Sequence, residues 1–200
     1  MNNPVHSANT PIDQAVNVLV NAFFDDPFYR YVFPDASLRP RKMAFFMKIL
    51  VLYGKRYGRV DVEKDPVLGA AIWLPPSAPM VTTPRMIRTG MLKAPFFMGR
   101  QAFRKMLEVT REWEALQARE PKRHWYLAAI GVEPKHQGKG IGGRLLSPVL
   151  EEADKEKVPC YLETMTRKDI AFYEKHGFRV AAEGRIDGEI PYWTMRRNPQ

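Results

Sequence analysis

The sequence predicts one α/β domain spanning residues 1–200. Apolar residues at helical spacing fill most of the first half, a strand–turn–helix–strand unit follows Lys122, and a hairpin closes the chain. The length suits a single domain, and 45% hydrophobic with 12% aromatic residues supplies enough apolar surface for a sizeable core. No repeat, low-complexity tract or linker divides the chain.

The elements follow in order. Ile12, Ala15, Val16, Leu19, Val20, Phe23 and Phe24 form one apolar helical stripe. Thr10 can accept from an orphan N–H at its start, Pro11 suits the first helical position, Asp13 favours the positive end of the dipole, and Asp26-Pro27 halts the helix. A second helix runs from about Arg39 to Tyr53, ended by Gly54 or Gly58. Arg59 to Val62, a turn at Lys64-Asp65-Pro66, and Val67 to Leu74 read as an antiparallel hairpin closed by Pro75-Pro76, its second strand buried on both faces. From Thr83-Pro84 to about Arg119 the pattern is helical again, with a break near Lys93-Ala94-Pro95. Phe96, Phe97, Phe103, Met106, Leu107 and Trp113 in that insert read as core, or as a lid packed on core, with the lining of a ligand pocket as the other reading. Beyond it come a strand from His124 to Val132, a glycine-rich turn, a helix from Ile141 to about Lys155 and a strand from Pro159 to Glu163. A short helix from Asp169 to Lys175 and strands near Phe178–Ala182 and Tyr192–Met195 complete the chain.

Composition bounds the function. A net charge of +9 asks for an anionic partner: nucleic acid, a membrane surface or a phosphorylated cofactor. The lone Cys160 rules out an intrachain disulfide and a Cys-x-x-Cys clip, and fits a reducing compartment. His6, His124, His136 and His176 lack the i, i+4 spacing of a helical zinc site, so no metal is expected. The opening MNNPVHSANT has no secretion-signal pattern, and Lys48 interrupts the apolar run from Met43 to Tyr53. With ~20 apolar residues needed to span a bilayer, no membrane association is expected, and the expected location is cytoplasmic. Arg39, Arg41, Lys42, Lys55, Arg56, Arg59, Arg100, Arg104 and Lys105 read as solvated helix and turn faces. No compact basic-aromatic strand motif is visible, so nucleic acid is not the expected partner.

The informative segment runs from Ile130 through Gly131, Val132, Glu133, Pro134, Lys135, His136, Gln137, Gly138, Lys139, Gly140, Ile141, Gly142 and Gly143 to Arg144. Glycines opening a helix let main-chain N–H groups approach an anion closely, and the helix dipole adds positive potential, which suits a pyrophosphate. A Walker A loop fails because Gly140, not Ser or Thr, follows Lys139. Gly138, Gly140 and Gly143 satisfy Gly-x-Gly-x-x-Gly, and Glu163 even ends the next strand where a ribose-binding acid would sit. That dinucleotide pattern is weakened because five residues separate Val132 from the first glycine, and too little chain follows for a doubly wound sheet.

Gln137, Gly140 and Gly142 also meet Gln/Arg-x-x-Gly-x-Gly/Ala after a Val-x-Pro strand end, and Asp169 to Phe178 supplies a short helix with Phe172-Tyr173 and then Gly177-Phe178. With these residues the sequence resembles the GNAT family of acyl-CoA-dependent N-acyltransferases. The resemblance covers about the C-terminal third, including Leu162-Glu163-Thr164 and Trp193 to Arg197, and extends more weakly to Phe23–Pro27 and Trp73–Pro76. Those phrases look most like the puromycin N-acetyltransferase-like branch. It implies a mixed, mostly antiparallel sheet flanked by helices, with a central strand pair that splays apart. It further implies acetyl-CoA as co-substrate: its pyrophosphate on the turn of Gln137, Gly138, Lys139, Gly140, Ile141, Gly142, Gly143 and Arg144, held largely by main-chain N–H groups, and its pantetheine along Ile130, Gly131 and Val132; the side chains of Lys139 and Arg144 either pair with the phosphates or face solvent. Thr166 stands where many members carry an asparagine that contacts the CoA arm. Tyr173 takes the place of the tyrosine that protonates the departing thiolate, a role open to a phenol that stays protonated at neutral pH. Gly177 is the left-handed helix cap, and Phe172 and Phe178 are core.

A neutral amine must attack, so something removes the proton of the ammonium. Glu163 is the candidate base; a carboxylate there would equally bind the ammonium or cap the next helix. Asp25, Asp26 and His124 are weaker candidates, His124 reading rather as packed at the sheet edge. The expected function is acetyl transfer from acetyl-CoA to the amine of a small molecule in a ternary complex. The alternatives are a non-catalytic acyl-CoA sensor and a basic nucleic-acid-binding protein.

Overall fold

A computed structural model describes residues 10–63 and 66–200. His6 and the Lys64-Asp65 part of the expected turn lie outside the described residues. Helix α1 (Pro11–Ala22) begins as its sequence dictates: the Thr10 side chain accepts from the Asp13 amide at 3.2 Å. α1 ends at Ala22, so Phe23 and Phe24, expected in its apolar stripe, lie in the turn beyond it; Asp26-Pro27 instead starts the short α2 (Pro27–Val32), because Asp26 accepts from the Phe28 amide and Pro27 fits the first turn. α3 (Arg39–Tyr57) runs through Gly54 and ends at Gly58.

Strands β1 (Arg59–Glu63) and β2 (Gly69–Leu74) pair antiparallel, and every residue of β2 is buried, as the sequence predicts. The insert then folds as α4 (Thr83–Arg88), α5 (Ala94–Met98) and α6 (Arg100–Gln117). Its breaks fall at Gly90 and Gly99, both at positive φ, whereas Ala94-Pro95 opens a helix instead of breaking one. The C-terminal half is β3 (Trp125–Val132), α7 (Ile141–Glu156), β4 (Cys160–Thr164), α8 (Arg167–Lys175), β5 (Arg179–Ile186) and β6 (Ile190–Arg197).

The six strands form one sheet in the order β1-β2-β3-β4-β6-β5, antiparallel at every contact except β3–β4. Strand alternation sends Ala70 and Ile72 of β2 into a core shared with α1, α2, α3, α5 and α6, and Ala71 and Trp73 into a second core with α7 and α8. The two helical layers therefore bury opposite faces of the sheet.

Two arginines act as internal ties. Arg39 is 5% exposed, correcting its reading as a solvated cation: its guanidinium donates to the carbonyls of Phe24, Pro34 and Phe33 at 3.2, 3.0 and 2.8 Å and clasps the segment that carries α2. Arg197 donates twice to Asp154 at 2.7 Å, joining β6 to α7. Gly177 adopts φ +87° just past α8, and Phe178 is fully buried, both as expected.

Candidate active site

Only Trp125 and Tyr126 of β3 pair with β4, opposite Cys160 and Tyr161. Beyond them the two strands separate, which is the predicted splay. The register of β3 against β2 passes from Leu127 opposite Trp73 to Ala129 opposite Ile72, so Ala128 is an extra residue that bulges the strand where the splay begins.

β3 leads through a 3-10 turn (Pro134–His136) into the glycine turn. Gly138 and Gly140 adopt φ +76° and +78°, a region that costs other residues strain. The Gln137 side chain donates to the Val132 carbonyl at 3.2 Å and so closes the turn on its strand. The first helical amide bond of α7 is from Arg144 to Gly140, and no side chain caps this end. Among the described residues, the amides of Gly138, Lys139, Gly140, Ile141, Gly142 and Gly143 have no protein acceptor. A Cβ at Gly138 would meet nothing within 4 Å. An open row of unpaired amides at the positive end of a 16-residue helix fits the diphosphate of a CoA ester.

The other glycines serve packing. A Cβ on Gly131 would lie 2.8 Å from that of Ala22 in α1, and one on Gly142 would lie 2.9 Å from the Phe172 ring of α8. Arg144 donates to Glu63 at 2.7 and 2.9 Å and to the Lys139 carbonyl at 3.2 Å, so its guanidinium braces the turn, while Lys139 is exposed. Ile130 and Val132 pack against the α7 core, and Thr166 stands at the start of α8 with its hydroxyl 3.5 Å from Asp26.

The splay opens into a cavity of about 420 Å³ that contains Glu163, Tyr173, Asp26 and Asp169 in its wall. Glu163 and Tyr161 share one face of β4, and Tyr161 lies opposite Tyr126, which surrounds the carboxylate with two phenols. Burial raises the Glu163 pKa to about 7, with Tyr126 and Tyr161 acting in the opposite direction, and its Oε1 is buried without a hydrogen-bond partner. Tyr173 is buried, and burial, then the charges of Asp169 and Asp26, raise its pKa, which keeps the phenol protonated. Asp26 is raised to about 6, chiefly by burial, against the pull of the Phe28 and Tyr29 amides.

His124 is 2% exposed and held by Gln117 and the Pro121 carbonyl, and burial lowers its pKa; it is packed just before the interior strand β3, its ring 5.8 Å from that of Tyr161, rather than at an edge of the sheet. Asp25 is exposed and does not line the cavity. Of the insert's apolar residues read as core, lid or pocket lining, Phe103, Met106, Leu107 and Trp113 line the cavity. Phe96 is 88% exposed and Phe97, stacked on Phe45, is 53% exposed, correcting the core reading at both residues. Sequence reasoning missed Asp169 as a site residue, although its i, i+4 relation to Tyr173 puts both on one helix face. It missed Tyr126 for want of any local motif. Among the described residues no group of His, Cys, Asp or Glu is arranged to hold a metal ion, and no helix is long and apolar enough to cross a membrane.

A bulged, splayed strand pair beside a glycine-opened helix is the GNAT fold, and residues 106–180 match the family model described as the acetyltransferase (GNAT) domain. The chain thus has the GNAT fold, residues 106–180 resemble an acetyltransferase domain, and two proteins to which it is similar are named as N-acetyltransferases. An uncharacterized N-acetyltransferase of Schizosaccharomyces pombe is 28% identical over 196 residues, covering 94% of this chain and 79% of the relative. N-alpha-acetyltransferase RimI of Mycobacterium tuberculosis is 41% identical over 86 residues, 40% of this chain and 52% of that protein. The crystal structure of histone acetyltransferase HPA2 and related acetyltransferase from Corynebacterium glutamicum superposes with a TM-score of 0.68 at 22% identity, covering 97% of this chain and 94% of the other, a likeness of fold.

Proposed function

We propose that the protein transfers the acetyl group of acetyl-CoA to the amine of a small-molecule acceptor, with both substrates bound together. The carrying observation is that the unpaired amides of 138–143 follow directly from β3, while β3 and β4 together line the cavity that holds Glu163 and Tyr173. Acetyl-CoA, when bound, supplies an activated acyl group on a thiolate leaving group. Gly138 to Gly143 hold its diphosphate, aided by Lys139 and the turn-bracing Gln137 and Arg144. Ile130, Gly131 and Val132 present the free edge of β3 to the pantetheine, and Thr166 offers a hydroxyl where an asparagine is more usual in the family.

Glu163, once ionised, takes the proton that an incoming ammonium must lose, and its value near 7 balances base strength against availability at neutral pH. Tyr173 donates its phenol proton to the departing sulfur. The cytoplasm is the proposed location, and the puromycin N-acetyltransferase-like branch supplies the first acceptor to try. Thiol release measured with puromycin, peptides and polyamines tests the reading. Turnover is expected to fall at least about tenfold in Tyr173→Phe, ~1.4 kcal/mol in the barrier, with acetyl-CoA binding retained. Equal rates in the two proteins remove Tyr173 from this role, and acetyl-CoA binding without thiol release from any amine favours a sensor.

A further inference from the structure

The chain has a net charge of +9, yet the cavity wall reverses that sign. Asp26, Glu114, Glu163 and Asp169 line it, and no Lys, Arg or His does so among the described residues. Around these carboxylates the wall is aromatic and thioether: Phe28 and Tyr29 from α2, Phe103, Met106 and Trp113 from α6, and Met86 from α4. Phe28 and Trp113 pack ring to ring at 5.2 Å, which fixes one end of this wall.

We propose that the acceptor seated here is an amphiphilic monoamine, one ammonium group carried on an aromatic or branched apolar body. The identity of the amine as acceptor rests on the acetyl-transfer reading; its capture by this cavity does not. Glu163 lines the cavity and is only partly buried, so its carboxylate is placed to accept from an ammonium N–H, while its Oε1 is sealed off without a donor. Trp113 lines the cavity with its ring, and its Nε1 is buried without a partner. The way in is apolar as well, since Ile87, Leu92 and Leu107 line the cavity while remaining 41%, 67% and 40% exposed. An apolar body gains roughly 25 cal/mol for each Å² it removes from water along this wall. A polyamine forfeits that gain and must strip water from further ammonium groups, for which Asp26 is already engaged by the Phe28 amide and the Thr166 hydroxyl. A carboxylate-bearing analogue meets like charge.

Titration calorimetry, run with and without CoA, tests the proposal with five probes: 3-phenylpropylamine, tryptamine, spermidine, 3-phenylpropanol and 3-phenylpropionate. The two arylalkylamines are expected to bind at least about tenfold more tightly than the other three. Thiol release should show the same preference in kcat/KM over ethanolamine and spermidine. Leu107→Ser, at the exposed mouth, should raise KM for tryptamine several-fold while leaving acetyl-CoA affinity unchanged, and Trp113→Ala should do so more strongly. Spermidine or ethanolamine binding as well as tryptamine, the alcohol matching the amine, or no binding by either arylalkylamine overturns the proposal. Arylalkylamine binding without acetyl-CoA binding or thiol release would instead sink the acetyl-transfer reading and leave the cavity's preference standing.

Discussion

Replacing Glu163 by glutamine separates the chemical role of this carboxyl from its structural cost. The side chain keeps its shape and loses its charge. In the folded protein the carboxyl titrates at about 7, against 4.5 for an unburied glutamate, because the cavity wall withholds water from the ionised form. Between those two values the folded state keeps a proton that the unfolded chain has released, so stability falls as pH rises from 4.5 towards 7 and is level above it. At ~1.4 kcal/mol per pH unit the full penalty is about 3 kcal/mol. Glutamine carries none of it. Urea unfolding of the two proteins from pH 4 to pH 9 should therefore show similar stabilities at the acid end and the variant more stable by up to about 3 kcal/mol above pH 7. In the same series kcat/KM of the wild type should rise with pH through the neighbourhood of 7, and the variant should lose that rise together with roughly a hundredfold or more of its rate. A variant no more stable than wild type at pH 8 would refute the burial argument, and one with an unaltered pH–rate profile would refute the base assignment.

Gly140→Ala forces a side chain onto φ +78° and should cost about 1–2 kcal/mol of stability while weakening acetyl-CoA binding, as read by thermal unfolding and calorimetry. Arg197→Met should cost about 2 kcal/mol by leaving the partly buried Asp154 without its twin hydrogen bonds. Because Arg197 holds the Asp154 pKa below the ordinary carboxylate value, that difference should be full at neutral pH and shrink as pH falls through the depressed value. Arg39→Ala frees three carbonyls that position α2, and should raise acceptor KM more than it lowers kcat, in steady-state kinetics.

The C-terminal half is legible in the sequence because its chemistry is local. A glycine turn must sit where backbone φ is positive, a Gly after a short helix marks its end, and period-two alternation places Tyr161 and Glu163 on one strand face. Those signals locate β3, α7, β4 and α8 to within a residue or two. They do not distinguish a glycine that frees the backbone, as at 138 and 140, from one that admits a neighbouring helix, as at 131 and 142, since the difference lies in what packs opposite. The N-terminal half is less legible for the same reason. Arg39 looks like any helix-face cation until the carbonyls of Phe24, Phe33 and Pro34 fold back upon it. Asp26 is legible as a helix cap, but its place beside Asp169 and Tyr173 depends on contacts 140 or more residues away, such as the one with Thr166. The four cavity carboxylates come from the N-cap of α2, from α6, from β4 and from α8, and no window of sequence contains them.

Calorimetric titration of the protein with acetyl-CoA and, separately, with S-acetylpantetheine, which lacks the diphosphate, bears most directly on the amides of 138–143. Saturable one-to-one binding of acetyl-CoA, with affinity lost for the truncated thioester, is the predicted result. No heat with acetyl-CoA, or equal affinity for the two thioesters, would contradict the account.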